Sequence, residues 1–155
     1  MGKWLTIMVV LLLAVALLAG CKVGSSGSGL GEGSGVLTQY DFDPFGRGRA
    51  PVDLLYFTAP REGRYRITLA GGAGADALRN PVIWVMRGRV PAEQNAFLSA
   101  YDRGRGVIAE NSGQAIATVG LRATGGDTFT VAFTSRTNDV GAYSFEIEAI
   151  SRPTP

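Results

Sequence analysis

The sequence predicts an all-β protein: behind an apolar N-terminal segment and a linker, a single antiparallel, jelly-roll-like β-sandwich of about eight or nine strands over residues 36–150. Three observations carry this reading. Turn residues return roughly every eight to twelve positions from Val36 onward, the spacing of short strands in a sandwich or barrel. Several of the segments between them alternate apolar and polar side chains with period two, and no stretch sustains a helical period. The length agrees, because about 115 residues make one domain that buries about two-thirds of its unfolded surface without disulfides.

Val36 to Phe42 is the first candidate strand. Leu54-Leu55-Tyr56-Phe57 is apolar on both faces, as is Val82-Ile83-Trp84-Val85-Met86, and such runs suit strands covered on both sides or lying centrally in a sheet. Between them, Arg64-Tyr65-Arg66-Ile67-Thr68-Leu69 alternates strictly, which puts Tyr65, Ile67 and Leu69 inside and the arginines outside. Phe97 to Tyr101, Gly106 to Glu110 and Gln114 to Arg122 read as further strands. Thr128 to Thr134 alternates with a threonine-rich outer face, and Tyr143 to Glu148 with carboxylates outside. Turn signals separate these pieces, among them Asp43-Pro44, Pro60 to Gly63, Arg103 to Gly106, Gly125-Gly126-Asp127 and Asn138 to Gly141.

Ahead of the strands, Met1 to Lys3 is a minimal positive end, and Trp4 to Gly20 is apolar apart from Thr6, the layout of a secretory signal. A spanning helix needs about 20 residues and a charged stop, so a signal-anchor helix is the second choice here. Leu18-Ala19-Gly20-Cys21 resembles the lipobox of bacterial lipoproteins. The resemblance implies that residues 1–20 are a signal peptide, with Leu18, Ala19 and Gly20 recognised by a dedicated signal peptidase. It further implies that the Cys21 thiol receives a diacylglycerol and that its freed amine is acylated, as with palmitate. Two or three such chains hold a protein stably on a membrane, at about 0.8 kcal/mol per buried CH₂. In that family an aspartate after the cysteine tends to retain the protein at the inner membrane. Lys22 stands there, which implies the outer membrane in a two-membrane bacterium, and otherwise the extracellular face of the cytoplasmic membrane. Residues 21–35, the lipidated cysteine and a tract of mostly glycine and serine, read as a flexible linker with a root-mean-square reach on the order of 20 Å. Residues 151–155 read as a C-terminal tail.

The order of the strands brings a second resemblance. Asp53 to Pro60 followed by Glu62 to Leu69, and distally Ala123 to Val131 followed by Gly141 to Ile147, are similar to the bacterial pre-peptidase C-terminal domain. That resemblance covers most of residues 40–150. It implies a small jelly-roll-like sandwich, often appended to secreted enzymes, with roles in secretion or in binding matrix and glycans. The family often carries an Asp-x-Asp-Leu run before its central strand. Gly74-Ala75-Asp76-Ala77-Leu78 offers one aspartate and is followed by an inserted Arg79-Asn80-Pro81, so a calcium site found in some relatives does not carry over.

Composition narrows the chemistry. There is no histidine, which removes the commonest general base near neutral pH and imidazole metal ligands, and the lone Cys21 leaves neither an internal disulfide nor a thiolate cluster. Lys+Arg 15 against Asp+Glu 13 is nearly balanced, which argues against nucleic acid as a whole-domain partner. Gly72-Ala73-Gly74-Ala75-Asp76-Ala77 has the spelling of a dinucleotide loop, but Pro81 and the strand after it leave no room for the helix that loop requires, so no nucleotide is expected.

Three groups of residues remain. Arg-Gly-Arg occurs at Arg47 and Arg49, Arg87 and Arg89, and Arg103 and Arg105; guanidinium forks on loop tips could grip phosphates or carboxylates if the tips gather at one end. Asp76, Asp102, Glu110, Asn111, Asp127 and Asp139 could offer oxygen to calcium, although turn carboxylates usually serve as local hydrogen-bond acceptors; no metal, and no cofactor besides the acyl chains, is expected. Trp84, Tyr101 and Tyr56 could stack on sugars, but aromatics within apolar strands are usually core, and Glu146 and Glu148 read as a solvating face. The sequence therefore points to a lipid-anchored protein of the bacterial envelope whose sandwich is a non-catalytic module binding an envelope protein or a glycan. The alternatives are a calcium-dependent carbohydrate-binding module and, disfavoured by the missing histidine, an envelope hydrolase.

Overall fold

A computed structural model describes residues 29–46, 50–102 and 107–150. In chain order its elements are β1 (Gly29–Leu37), β2 (Asp53–Thr58), β3 (Gly63–Gly71), β4 (Pro81–Arg87), α1 (Gln94–Asp102), β5 (Val107–Ser112), β6 (Ile116–Ala123), β7 (Thr128–Ser135) and β8 (Gly141–Ile150). The strands form two four-stranded sheets, sheet I in the order β1-β8-β3-β6 and sheet II in the order β2-β7-β4-β5, with every neighbouring pair antiparallel. The sandwich that the alternating segments predict is the observed fold.

Period two builds the core between the sheets. Tyr65, Ile67 and Leu69 of β3, with Val119 and Leu121 of β6 and Ile147 of β8, meet Ile83 and Val85 of β4 and Phe129, Val131 and Phe133 of β7. Strands with one apolar face and one polar face can do this only in one register, since a slip of one residue would turn Tyr65 outward and Arg64 inward.

Sheet II has a second apolar layer on its outer side, which corrects two sequence expectations. Residues Phe97 to Tyr101, expected as a strand, belong to α1. Phe97, Ala100 and Tyr101 share one face of that helix and pack with Phe42, Val52, Trp84, Met86 and Val90 over the outer face of β4 and β7. The threonine face of β7, expected outside, lies under this layer, with Thr130 and Thr134 fully buried. Their hydroxyls satisfy the covering backbone: Thr130 accepts from the Val90 N–H and donates to the Gly88 carbonyl, each at 2.8 Å, and Thr134 donates to the Pro51 carbonyl at 2.8 Å. A buried hydroxyl is tolerated only with such partners, so threonine here ties the covering segments to the sheet. Being apolar on both faces, β4 is buried along its length up to Met86. β2 departs from expectation: it lies at the edge of sheet II, and Tyr56 reaches the surface.

The linker boundary is a further correction. Gly29 to Gly35, expected as part of a flexible tether, is most of strand β1, and the sandwich starts at Gly29 rather than Val36. Strand β1 pairs along β8, with Gly33 opposite Phe145 and Gly35 opposite Tyr143. A Cβ at Gly33 would stand 2.7 Å from the Phe145 ring, and one at Gly35 would stand 2.5 Å from the Tyr143 hydroxyl. The absent side chains are thus replaced by aromatic rings of the neighbouring strand, a known way of rescuing glycine at a sheet edge. The strand expected over Val36 to Phe42 ends at Leu37, where Asp41 accepts from the Thr38 N–H at 2.5 Å and closes a turn.

Candidate anion site

The antiparallel registers fix which termini share an end. Gly29 of β1 lies opposite Glu148 of β8, Gly63 of β3 opposite Ala123 of β6, Thr58 of β2 opposite Thr128 of β7, and Met86 of β4 opposite Val107 of β5. The start of β1 and the ends of β8, β6 and β4 therefore meet at one end of the sandwich. An open cleft of about 850 Å³ lies there, lined by residues from the β2–β3 turn, the β6–β7 turn and these strand ends.

Four arginines line it: Arg61 from the β2–β3 turn, Arg64 from β3, Arg87 from β4 and Arg122 from β6. All four are exposed. Arg64 and Arg122 are direct cross-strand partners, a placement that sets two like charges side by side and costs stability unless an anion lies between them. Among the described residues the ion pair within 4 Å is formed by Arg66 and Glu148, at 2.6 Å, and involves none of the four. Two carboxylates share the cleft, Glu62 and Asp127. Asp127 is committed to its own turn, accepting from the Thr124 N–H at 2.9 Å. That hydrogen bond, more than the charge of nearby Arg87, holds its pKa below the ordinary carboxylate value. Tyr65 anchors the floor, its hydroxyl donating to the Arg61 carbonyl.

Of the six arginines singled out by their Arg-Gly-Arg spacing, Arg87 lies in this cleft. Arg89 stacks instead over the Tyr56 ring, 4.4 Å from its centroid, while the Tyr56 hydroxyl donates to the Val90 carbonyl at 3.0 Å. Arg47, Arg49, Arg103 and Arg105 lie outside the described residues, as do Leu18, Ala19, Gly20 and Cys21. Arg61, Arg64 and Arg122 escaped sequence reasoning, since each reads alone as a solvated strand or turn residue. The usable signal was Arg64 on the outer face of an alternating strand, but its neighbour Arg122 is 58 positions away in sequence and meets it only through the β3–β6 register.

The remaining candidates disperse. Among the described residues no three carboxylate or thiol groups come together around a metal-sized space. Asn111 donates to the Thr118 carbonyl and Asp139 accepts from Thr137, each at 2.5 Å, while the Asp76 carbonyl accepts from the Ala142 N–H at 2.7 Å. Glu110 faces solvent on β5, and the Asp102 side chain is not described. The Gly72 to Ala77 segment turns back to bridge Ala142, and no helix begins there. Trp84 is buried among Phe45, Phe97 and Tyr101, and its indole N–H has no hydrogen-bond partner among the described residues. Glu148 pairs with Arg66, and Glu146 lies opposite Glu32 on the exposed face of sheet I.

No protein-family model matches the chain, and no curated protein matches it. Several solved structures align with it at low identity. The mitogen of Yersinia pseudotuberculosis aligns at 11% identity and a TM-score of 0.45, over 79% of this chain and 87% of its own. The pre-peptidase C-terminal domain of the Bacillus anthracis collagenase aligns at 11% identity and 0.44, over 76% and 87%. CorA of Methylomicrobium album, a surface-associated copper-binding protein, aligns at 7% identity and 0.46, over 77% and 93%. No activity follows from these alignments.

Proposed function

We propose that the chain is a lipid-anchored protein of the bacterial cell envelope, held by acylated Cys21, whose sandwich is a non-catalytic binding module for a phosphate- or carboxylate-bearing envelope component. The observation that carries the binding reading is the cleft: Arg64 and Arg122 opposed across β3 and β6, with Arg61 and Arg87 beside them and none of the four in an ion pair among the described residues. Guanidinium forks bind phosphate and carboxylate in pairs, and an anion between two opposed forks relieves their repulsion. Catalysis has no support in the same cleft. Of its carboxylates, Glu62 is exposed and Asp127 accepts a hydrogen bond within its own turn.

Binding of the full-length lipidated protein in non-ionic detergent to a phosphorylated polysaccharide, against neutral dextran, tests the reading. The expected result is retention on the anionic polymer alone, weakened about tenfold or more by Arg64→Gln with Arg122→Gln, because a charge-assisted hydrogen bond contributes about 1.5–3 kcal/mol. Equal retention of the double variant would overturn it. For the anchor, metabolic palmitate labelling is expected to mark the protein and to be abolished by Cys21→Ala.

A further inference from the structure

We propose that the arginine cleft is the membrane-facing end of the domain: it takes the phosphates of anionic lipid headgroups in the membrane that carries the anchor and holds the sandwich end-on to that surface. This rests on the anchored, anion-binding reading above and names the ligand. The order of the strands supplies the reason. Because Gly29 lies opposite Glu148 and the end of β8 forms the cleft rim, the chain enters the sandwich at the cleft end. With β1 beginning at Gly29, only seven residues lie between it and Cys21. The distance from Cys21 to Gly29 is at most about 28 Å, the reach of a fully extended chain of that length. Strand β8, at ten residues, is about 33 Å long, so the opposite end of the sandwich stands a full strand length further out. The tether therefore confines the cleft end, and not the far end, near the headgroups.

Side-chain chemistry follows the same axis. The cleft end presents four arginines against Glu62 and Asp127. At the far end lie Asp53, which starts β2, Asp76 in the β3–β4 loop and Asp139 in the β7–β8 loop, against Arg79 and Arg136. Aliphatic side chains flank the arginines as well, with Leu30 42% and Ile150 43% exposed where β1 begins and β8 ends. Cations beside exposed aliphatics suit the boundary of headgroups and acyl chains. Once the lipid holds Cys21, docking is intramolecular, and contacts too weak to recruit a free protein suffice to orient an anchored one. Each arginine brought to an anionic surface raises the docked population about fivefold.

The test reconstitutes the full-length lipidated protein in phosphatidylcholine vesicles with or without phosphatidylglycerol. A donor fluorophore is placed on one engineered cysteine, Thr124→Cys at the cleft or Val140→Cys at the far end, Cys21 being blocked by its lipid, and energy transfer to a headgroup-labelled acceptor is read. Transfer from position 124 is expected to rise when phosphatidylglycerol is present. The rise should vanish at high salt and in the variant carrying Arg61→Gln, Arg64→Gln and Arg122→Gln, and position 140 should show no rise. Protein retained on both vesicles with transfer independent of phosphatidylglycerol would overturn the proposal and leave the anchor standing. If the phosphorylated polysaccharide still bound in that case, the cleft would be a site for soluble glycan phosphates. Loss of the protein from both vesicles would overturn the anchor, and the proposal with it.

Discussion

Sheets I and II share one core but end differently on their outer sides. The outer face of sheet II is dry over its central strands β4 and β7, with Trp84, Met86 and Ala132 under α1 and the segment around Phe42, and buried threonines stitching that cover to the strands. The outer face of sheet I is wet: Arg122 beside Arg64, Arg66 beside Glu148 and Glu146 beside Glu32 run across it in rows. Burial on both faces leaves a strand no room for charge, so sheet II serves as scaffold. Sheet I, needing only one apolar face, is free to present charged side chains, and the cleft opens where its arginine row meets the loops.

The largest expected break in this contrast comes from Phe97, fully buried and at the centre of the outer layer. Phe97→Ala should cost about 3–5 kcal/mol by chemical denaturation, the loss typical of a buried aromatic. A cost within about 0.5 kcal/mol, as for an ordinary surface change, would mean that sheet II needs no cover. A smaller effect is expected at the edge of sheet I. Gly33→Val forces a side chain into the Phe145 ring, which itself lies 5.3 Å from Phe133, and should cost about 1–3 kcal/mol as overpacking does. Amide exchange should quicken along β1 and β8 first; unchanged protection there would show that β1 contributes little to the sheet.

The smallest effect concerns two carboxyls, Glu148 on sheet I and Asp127 in the β6–β7 turn. The hydrogen bond from Arg66 holds the Glu148 carboxyl below its ordinary pKa, and that from the Thr124 N–H does the same for Asp127. Both groups bind a proton more weakly in the folded protein than in the unfolded chain. Their stabilisation is therefore complete above the ordinary carboxylate range and is lost as pH falls through the lowered folded values. Both sites are exposed and screened, so the acid slope of the denaturation midpoint should be shallow. Glu148→Gln should flatten it further, and a slope unchanged in both Glu148→Gln and Asp127→Asn would remove these carboxyls from the acid response.

Where one face of a strand meets the core and the other meets water, the sequence reads directly, as in Arg64 to Leu69 and Tyr143 to Glu148. The covered sheet is less transparent. Thr130 and Thr134 look polar until Pro51 and Gly88 are seen to lie over them, and nine residues are too few for α1 to display a period beyond Phe97, Ala100 and Tyr101. β1 was obscured by composition, because glycine tracts read as tether. Its signal was a glycine at every second position from Gly27 to Gly35, of which Gly33 and Gly35 stand where the Phe145 and Tyr143 rings fill the vacated face.

By itself, then, the sequence determined an all-β sandwich, its inward residues and a lipobox-like segment ahead of it, because period-two burial and a contiguous motif are local properties. Only the tertiary structure decided which sheet is covered, that the strands begin at Gly29, and that Arg61, Arg64, Arg87 and Arg122 gather at the end where the chain enters. Those are consequences of strand register, which joins residues far apart in sequence and leaves no trace in any one segment.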